Sequence, residues 1–309
     1  MDHKASTLRS SSAVFFSVTD VGRNGWWRYI LGALLVKMVV LVASIVISTL
    51  MLQQSLGAVS EFVATHVDFM LLILCTWMLH VFLHRRPWRS LITTRQAISW
   101  RRIFQGAAVW GVIMLCSVGI ESVLFPGRYV WSFDAQRWLL FSMLALLLTP
   151  IQCAAEEVFF RGYLLQAFGL ISRHPLVAAS LSSVLFTLPH LANPEVTSNG
   201  MLIMAAAYFT MGLFLALVAL RDARLELSIG AHTANNFFLI VFFGYEDSPL
   251  PTSAIFTTQT YDPVFSLVSV VVSSWVFYAW FFSSCKVAYQ EVIALACKPR
   301  EIQHQRESD

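Results

Sequence analysis

Long apolar runs recur along most of the chain and are separated by short polar connections. An α-helix needs about 20 mainly apolar residues to cross the hydrocarbon core of a bilayer. The runs that meet this criterion predict eight spans, at 30–52, 62–83, 103–124, 138–155, 176–192, 201–220, 227–244 and 264–285. The predicted fold class is all-α: a polytopic membrane protein with about eight transmembrane helices and its unusual polar residues on the central-to-late helices.

The composition also indicates a membrane environment. Of the 309 residues, 57% are hydrophobic and 13% are charged, whereas soluble globular chains have about 45–50% apolar and about 25% charged residues. So few charges cannot cover the surface of a compact soluble fold, which excludes a soluble enzyme and a disordered chain. The net charge of +3 is too small to indicate a polyanionic partner, so no nucleic acid is expected.

Lysine and arginine are concentrated in alternate connections. The N-terminal segment, the connection 84–102, the fourth-to-fifth and sixth-to-seventh connections and the tail hold 18 of the 21 basic residues, with Arg161 counted in the fourth-to-fifth connection. The opposite loops hold only Arg128 and Arg137. Because basic loops stay in the cytoplasm, both termini are expected to be cytoplasmic. This pattern and the short loops are typical of a plasma membrane protein, here a bacterial inner membrane protein.

The same pattern suggests how the chain is organised. Residues 1–29 are expected to form a cytoplasmic or interfacial N-terminal segment, with Trp26, Trp27 and Tyr29 at the headgroups. Residues 30–137 are expected to form N-terminal transmembrane helices. A core at 138–244 contains the polar clusters considered below, 245–285 supplies an external loop and the last span, and 286–309 forms a cytoplasmic tail.

The first polar cluster, AAEEVFFRGYLLQ, contains two adjacent glutamates and an arginine. Ionisable groups at the centre of a span cost about 2.5–3.5 kcal/mol on insertion scales, which makes them candidates for function. Glu157 and Arg161 are four residues apart and can pair on a helix. Glu156 points about 100° away, which leaves a second carboxylate available as a general base. The structural alternative is a salt-bridged helix end at the membrane interface.

Two further clusters contain histidine. His190 follows Phe186 by four residues, with Pro189 between them, so the two side chains share a helix face. His232 and Asn236 are also four residues apart, and Asn235 is expected to point about 100° away from them. An imidazole and an amide together offer donors for a developing oxyanion. Taken singly, each cluster could equally make hydrogen bonds between helices.

Together, Glu-Glu-x-x-x-Arg, Phe-x-x-x-His and His-x-x-x-Asn, in this order on successive spans, resemble the CPBP family. These are the CAAX prenyl endopeptidase and bacteriocin-processing intramembrane proteases, also called Abi proteins. The resemblance covers roughly residues 138–244, about a third of the chain. The sequence lacks the GxSxG motif of serine hydrolases and the HExxH motif of zinc proteases, so neither competes with this interpretation.

The resemblance implies an intramembrane endopeptidase and a role for each matching residue. Glu156 activates water, and His190 helps to position or deprotonate that water. His232 and Asn236 stabilise the tetrahedral oxyanion. Glu157, held by Arg161, supports the site, and Phe186 packs beside it.

The involvement of a metal is open on sequence alone. Glu156, His190 and His232 form the set of one carboxylate and two histidines that catalytic zinc uses. The same atoms serve a metal-free glutamate mechanism, and the two candidate histidines lie on different predicted spans rather than as a pair on one helix. We therefore expect that no cofactor is required, with zinc as the alternative.

Two other functions are compatible with these residues: a non-catalytic immunity or scaffold protein of the same family, and a proton-coupled transporter. The expected partners of the protease are the lipid bilayer and a peptide or membrane-protein substrate. Because protein prenylation is not expected in bacteria, peptide precursors or membrane-protein tails are favoured over prenylated proteins.

Overall fold

The computed structural model describes residues 2–54, 57–245, 248–249, 253–258 and 261–283. The predicted cytoplasmic tail, 286–309, lies outside these residues. The helices in the described ranges are α1 (Asp2–Ser17), α2 (Trp26–Gln54), α3 (Ala58–Phe82), α4 (Trp100–Leu124), α5 (Ala135–Glu157), α6 (Leu165–Ile171), α7 (Pro175–His190), α8 (Pro194–Asn199), α9 (Met201–Asp222), α10 (Glu226–Val241) and α11 (Pro263–Phe282). Short 3₁₀ helices cover Val18–Asp20 and Trp88–Leu91, and a π-helical segment covers Val158–Leu164.

The all-α, multi-pass architecture is confirmed. Among the described residues, six helices are long and apolar enough to cross a membrane: α2, α3, α4, the continuous helix Ala135–Ile171, α9 and α11. The other two predicted spans, 176–192 and 227–244, correspond to α7 and α10, which have only 16 residues each. The count of eight spans is therefore not confirmed.

The fourth predicted span, 138–155, is part of a much longer helix. α5, the π-helical segment and α6 follow one another without a break from Ala135 to Ile171. Its predicted end near 155 is wrong because the two glutamates and Arg161 are buried by neighbouring helices rather than exposed at an interface. Arg161 therefore does not belong to a cytoplasmic connection, and it drops out of the count of basic loop residues.

Close approach of α4 and α10 fixes the position of the third polar cluster. A Cβ atom at Gly106 would collide with the backbone of Leu227, and one at Gly230 would collide with the backbone of Ile103. Glycine at these two positions lets the backbones touch, as small residues do in packed membrane helices. The contact places His232, two residues after Gly230, at 4% exposure inside the fold.

The N-terminal segment is packed into the fold more tightly than an interfacial segment would be. Phe15 and Phe16 are buried in a cluster with residues of α7, α9 and α10. Trp26 and Trp27 are exposed, as a headgroup belt requires, but Tyr29 is only 2% exposed. The predicted interfacial position of Tyr29 is therefore wrong, because its hydroxyl hydrogen-bonds to Asn24 and Arg86.

A small sheet covers one end of the helices and was not predicted. Strand β3 (Phe256–Thr258) lies between β1 (Tyr129–Trp131), which is antiparallel to it, and β2 (Phe243–Tyr245), which is parallel to it. Tyr129 pairs with Thr258, and Phe243 pairs with Phe256. Strands of three residues give almost no periodic signal in a sequence.

Candidate active site

The residues singled out from the sequence meet around one cavity of about 280 Å³. We call it the central cavity and define it by Glu156, His190, His232 and Asn236, which all line it. Phe186 also lines it, whereas Glu157 and Arg161 lie behind the wall, each with 0% of its surface exposed. α5, α7 and α10 each contribute one predicted cluster, which is why residues distant in sequence come together.

Glu156 presents an unpartnered carboxylate oxygen to this cavity. The residue is 4% exposed, and its Oε2 has no hydrogen-bond partner. The Nε2 atoms of His190 and His232 each lie 3.9 Å from that oxygen. These distances are too long for direct hydrogen bonds. Since an unsatisfied buried charge is costly, the arrangement suits a small polar molecule held between the three atoms.

Glu157 holds two other groups of the site. Its Oε1 accepts hydrogen bonds from the guanidinium of Arg161 at 2.8 Å and from Nδ1 of His232 at 2.9 Å. Arg161 also donates to the carbonyl oxygen of Gly212 at 3.2 Å. Because an ionised carboxylate can only accept, Nδ1 of His232 bears its proton and Nε2 is turned toward Glu156.

His190 is fixed in the same tautomer by a different partner. Its Nδ1 lies 2.7 Å from the carbonyl oxygen of Phe186. A carbonyl can only accept, so Nδ1 donates, and in the neutral ring Nε2 is left with a lone pair directed at Glu156. The predicted pairing of Phe186 and His190 on one face is also present, with ring centroids 4.5 Å apart.

Phe186 links the histidines to the buried ion pair. The guanidinium carbon of Arg161 lies 4.3 Å from the centroid of the Phe186 ring, within the range of a cation–π contact. The ring also meets His232 edge-on at 6.1 Å. Phe186 therefore packs beside the site, as the sequence indicated, and shields the Glu157–Arg161 pair from the central cavity.

The amide of Asn236 is oriented by a neighbour that was expected to point away. Asn235 donates from Nδ2 to Oδ1 of Asn236 at 3.1 Å, and its own Oδ1 accepts from the Trp110 indole at 3.2 Å. Both asparagines line the central cavity. With Oδ1 of Asn236 engaged as an acceptor, its two Nδ2 protons remain for a ligand.

The long helix puts the glutamates at the same depth as the histidine of α7. Glu156 lies fifteen residues before the end of α6 at Ile171, and His190 lies fifteen residues after the start of α7 at Pro175. At 1.5 Å per residue both are about 22 Å from that end of the bundle. A helix ending near residue 155 would have left Glu156 much shallower than His190.

Sequence reasoning missed a polar group on the far side of His190. The ring of Tyr208 lies 4.6 Å from that of His190, and its hydroxyl donates to Glu195. Asn193 hydrogen-bonds to both Tyr208 and Glu195, whose side chain is fully buried. The sequence did offer one indication of this group, the acidic residue in Asn-Pro-Glu directly after the histidine motif. That tripeptide, however, is typical of an ordinary turn.

No group of three or more His, Cys, Asp or Glu side chains in the described part of the chain is arranged to hold a metal ion. Zinc ligands about 2.0–2.1 Å from a tetrahedral metal lie about 3.3 Å from one another. The separations between Glu156 and the two histidines are wider, at 3.9 Å each.

Comparison with known proteins finds a family likeness over the part of the chain that contains this site. Residues 135–238 match the family model described as type II CAAX prenyl endopeptidase Rce1-like. This segment contains every residue from Glu156 to Asn236 that the motifs identified. This part of the chain is therefore similar to the Rce1-like family. The proteins that this model describes are prenyl endopeptidases, that is, proteases.

A curated relative extends the similarity beyond this segment. The chain is 37% identical over 185 residues to an uncharacterized protein, YyaK, of Bacillus subtilis (strain 168). The alignment covers 60% of this chain and 62% of the Bacillus protein. The similarity therefore spans less than two thirds of the relative's length.

Proposed function

We propose that the protein is an intramembrane endopeptidase that hydrolyses a peptide bond with water activated by Glu156. The observation that supports this most is the unpartnered Oε2 of Glu156, buried in the central cavity with two imidazole Nε2 atoms 3.9 Å away. A water molecule that bridges these atoms would satisfy the carboxylate. The family match of residues 135–238 gives independent support for a protease.

The hydrogen-bond capacity of this arrangement requires one proton in addition to the two of the water. A water molecule has two protons to donate, but it faces three acceptors when both histidines are neutral: Glu156 Oε2 and the two Nε2 atoms. One of the three must itself carry a proton to avoid a repulsive contact. Glu157 and Arg161 already form a neutral pair. An imidazolium at His232 would therefore balance the charge of Glu156.

In the reaction, Glu156 takes one proton from the water as its oxygen attacks the carbonyl carbon of the substrate. The carbonyl oxygen becomes an oxyanion, which the Nδ2 protons of Asn236 and the Nε2 proton of His232 stabilise. The carbon–nitrogen bond then breaks, and the proton held by Glu156 passes to the leaving amine. His190 positions the water through Nε2. General-base catalysis of this kind contributes about 10²–10⁴-fold.

We further propose that the reaction requires no metal. Oε2 of Glu156 lies 3.9 Å from Nε2 of each histidine, farther than zinc ligands lie from one another, and a bridging water would join these atoms. The test is metal analysis of the purified, active protein. Stoichiometric zinc that is lost together with activity would overturn this part of the proposal.

We also propose that the protein resides in the plasma membrane with both termini in the cytoplasm. The substrate is then a peptide precursor or the tail of a membrane protein. Its relative in Bacillus subtilis agrees with a bacterial setting, in which protein prenylation is not expected.

The deciding experiment compares peptide termini in membranes from cells that express the wild type or Glu156→Gln. The proposal predicts new termini with the wild type only. Glu226→Gln is the matched control, because Glu226 is equally buried but binds the backbone of Ser99 outside the central cavity. The control should retain cleavage. Equal termini in all three membranes, with equal insertion, would favour a non-catalytic membrane protein.

A further inference from the structure

Contacts between connections define two faces of the molecule. On the first, which we call the basic face, Arg173 pairs with Asp20 and Arg102 pairs with Asp222. The 84–99 connection reaches the same place, because Leu225 donates its backbone N–H to Ile92 at 2.8 Å. The N-terminal segment, the 84–99 connection and the turns after α6 and α9 therefore lie together.

The basic residues of the connections concentrate on that face. Arg9, Arg23, Arg85, Arg89, Arg95, Arg101 and Arg173 are all exposed there. On the opposite face, Arg137 is exposed but lies beside Asp134, and Arg128 is held between Glu121 and Asp262. Because Lys and Arg mark the cytoplasmic side of a membrane protein, the opposite face is the non-cytoplasmic one.

The central cavity opens toward the opposite face. Asn193, Tyr245, Ser248 and Pro249, which belong to connections on that face, line its mouth. None of the residues that line the cavity comes from the described connections of the basic face. Toward the basic face the cavity ends at the buried Glu157–Arg161 pair, behind the wall formed by Phe186.

A second cavity, of about 230 Å³, continues the first in the same direction. The two share five lining residues: Tyr208, Met211, Asn235, Leu239 and Tyr245. At its far end the second cavity is lined by Tyr129 and Thr258 of the small sheet. The two cavities are therefore adjacent, and their linings together reach from Glu156 to the sheet-covered face.

From this placement we infer that the substrate peptide reaches Glu156 from the non-cytoplasmic side of the membrane, in an extended form that follows the two cavities. The substrate class is then an exported peptide or the external segment of a membrane protein next to the bilayer. This inference rests on the proposed function for the cleavage step, but the side on which the cavity opens is independent of it.

The experiment uses three single-cysteine variants of the full chain, made after the five native cysteines are replaced. Ser248→Cys lies at the cavity mouth, Arg137→Cys lies on the same face away from the mouth, and Arg95→Cys lies on the basic face. Intact cells are treated with a large, charged maleimide that does not cross the membrane. Labelling is measured before and after permeabilisation, and new peptide termini are then counted.

We expect the cysteines at 248 and 137 to be labelled in intact cells at least ten times faster than the cysteine at 95, which should react only after permeabilisation. Labelling at 248 should reduce cleavage at least tenfold, and labelling at 137 should not. The new termini should lie in exported or external segments.

Labelling of the cysteine at 95 in intact cells, with protection at 137 and 248, would overturn the inference, as would cleavage that is unaffected by labelling at 248. New termini confined to cytoplasmic segments would also overturn it. If the wild type generates no new termini, the proposed function fails, and the labelling pattern still decides on which side the cavity opens.

Discussion

Removing the guanidinium of Arg161 should destabilise the fold strongly, because this charge compensates a fully buried carboxylate. Arg161 and Glu157 are both fully buried and lie 2.8 Å apart. In Arg161→Met, Glu157 keeps only His232 as a polar partner, and the carbonyl of Gly212 loses a donor. Breaking one partner of a buried pair typically costs about 3–5 kcal/mol, and we expect a loss of that size.

The double variant Glu157→Gln/Arg161→Met should be less destabilised than Arg161→Met alone. Once the carboxylate is neutral, no uncompensated charge remains, and buried pairs are often replaced by neutral groups at little cost. The effects of the two substitutions on the free energy of unfolding should therefore differ from additivity by more than about 1 kcal/mol, within the range seen for residues in contact.

The assay is unfolding of the purified protein in mixed micelles by increasing denaturing detergent, followed by circular dichroism. The matched control is Arg137→Met, because the Arg137–Asp134 pair is 3.8 Å long and largely exposed. Exposed pairs contribute about 0–1 kcal/mol, so this variant should unfold nearly like the wild type. Equal stability of Arg161→Met and Arg137→Met, or additive effects in the double variant, would refute the reasoning.

Three further predictions address catalysis, orientation of the amide and pH. Asn236→Ala should lower kcat about 10²–10³-fold with little change in KM, as loss of one oxyanion donor does; an equal rise in KM would contradict this role. Asn235→Ala should lower kcat about tenfold, and Asn235→Asp should lower it as much, because only an amide can both donate to Asn236 and accept from Trp110. Wild-type activity in Asn235→Asp would contradict this chain of hydrogen bonds from Trp110 to Asn236. Burial, aided by the charge of Arg86, lowers the pKa of His84 to about 4. The unfolded chain therefore protonates this histidine near pH 6.5 and the folded chain only near pH 4. The free energy of unfolding should fall by about 2 kcal/mol between pH 7 and pH 5. Detergent unfolding of His84→Asn at both pH values should show a smaller fall, and an equal fall would contradict the assignment.

The sequence was sufficient for the fold class and for the residues that gather at the site. Apolar runs of about 20 residues reveal spans because the bilayer dictates their length. Spacing of four residues revealed Glu157 with Arg161, Phe186 with His190, and His232 with Asn236, because such residues share a helix face. Every one of these pairs lies at or directly behind the central cavity.

Tertiary packing decided what the sequence could not show. The Ala135–Ile171 helix continues through a π-helical segment because α7 and α9 bury Arg161, whereas a lone arginine in a sequence resembles the end of a span. The position of Asn235 depends on Trp110, which lies 125 residues earlier in the chain. The three-residue strands depend on pairing between distant loops. Helical periodicity contains none of this information.

The central claim is that Glu156 activates the water that cleaves the substrate. The most direct test reconstitutes the wild type, Glu156→Gln and Glu226→Gln in lipid vesicles with a peptide identified from the comparison of membrane termini. The account predicts that Glu156→Gln lowers the cleavage rate about 10²–10⁴-fold, while Glu226→Gln cleaves at close to the wild-type rate and all three proteins insert equally. Cleavage by Glu156→Gln within tenfold of the wild type would contradict the account.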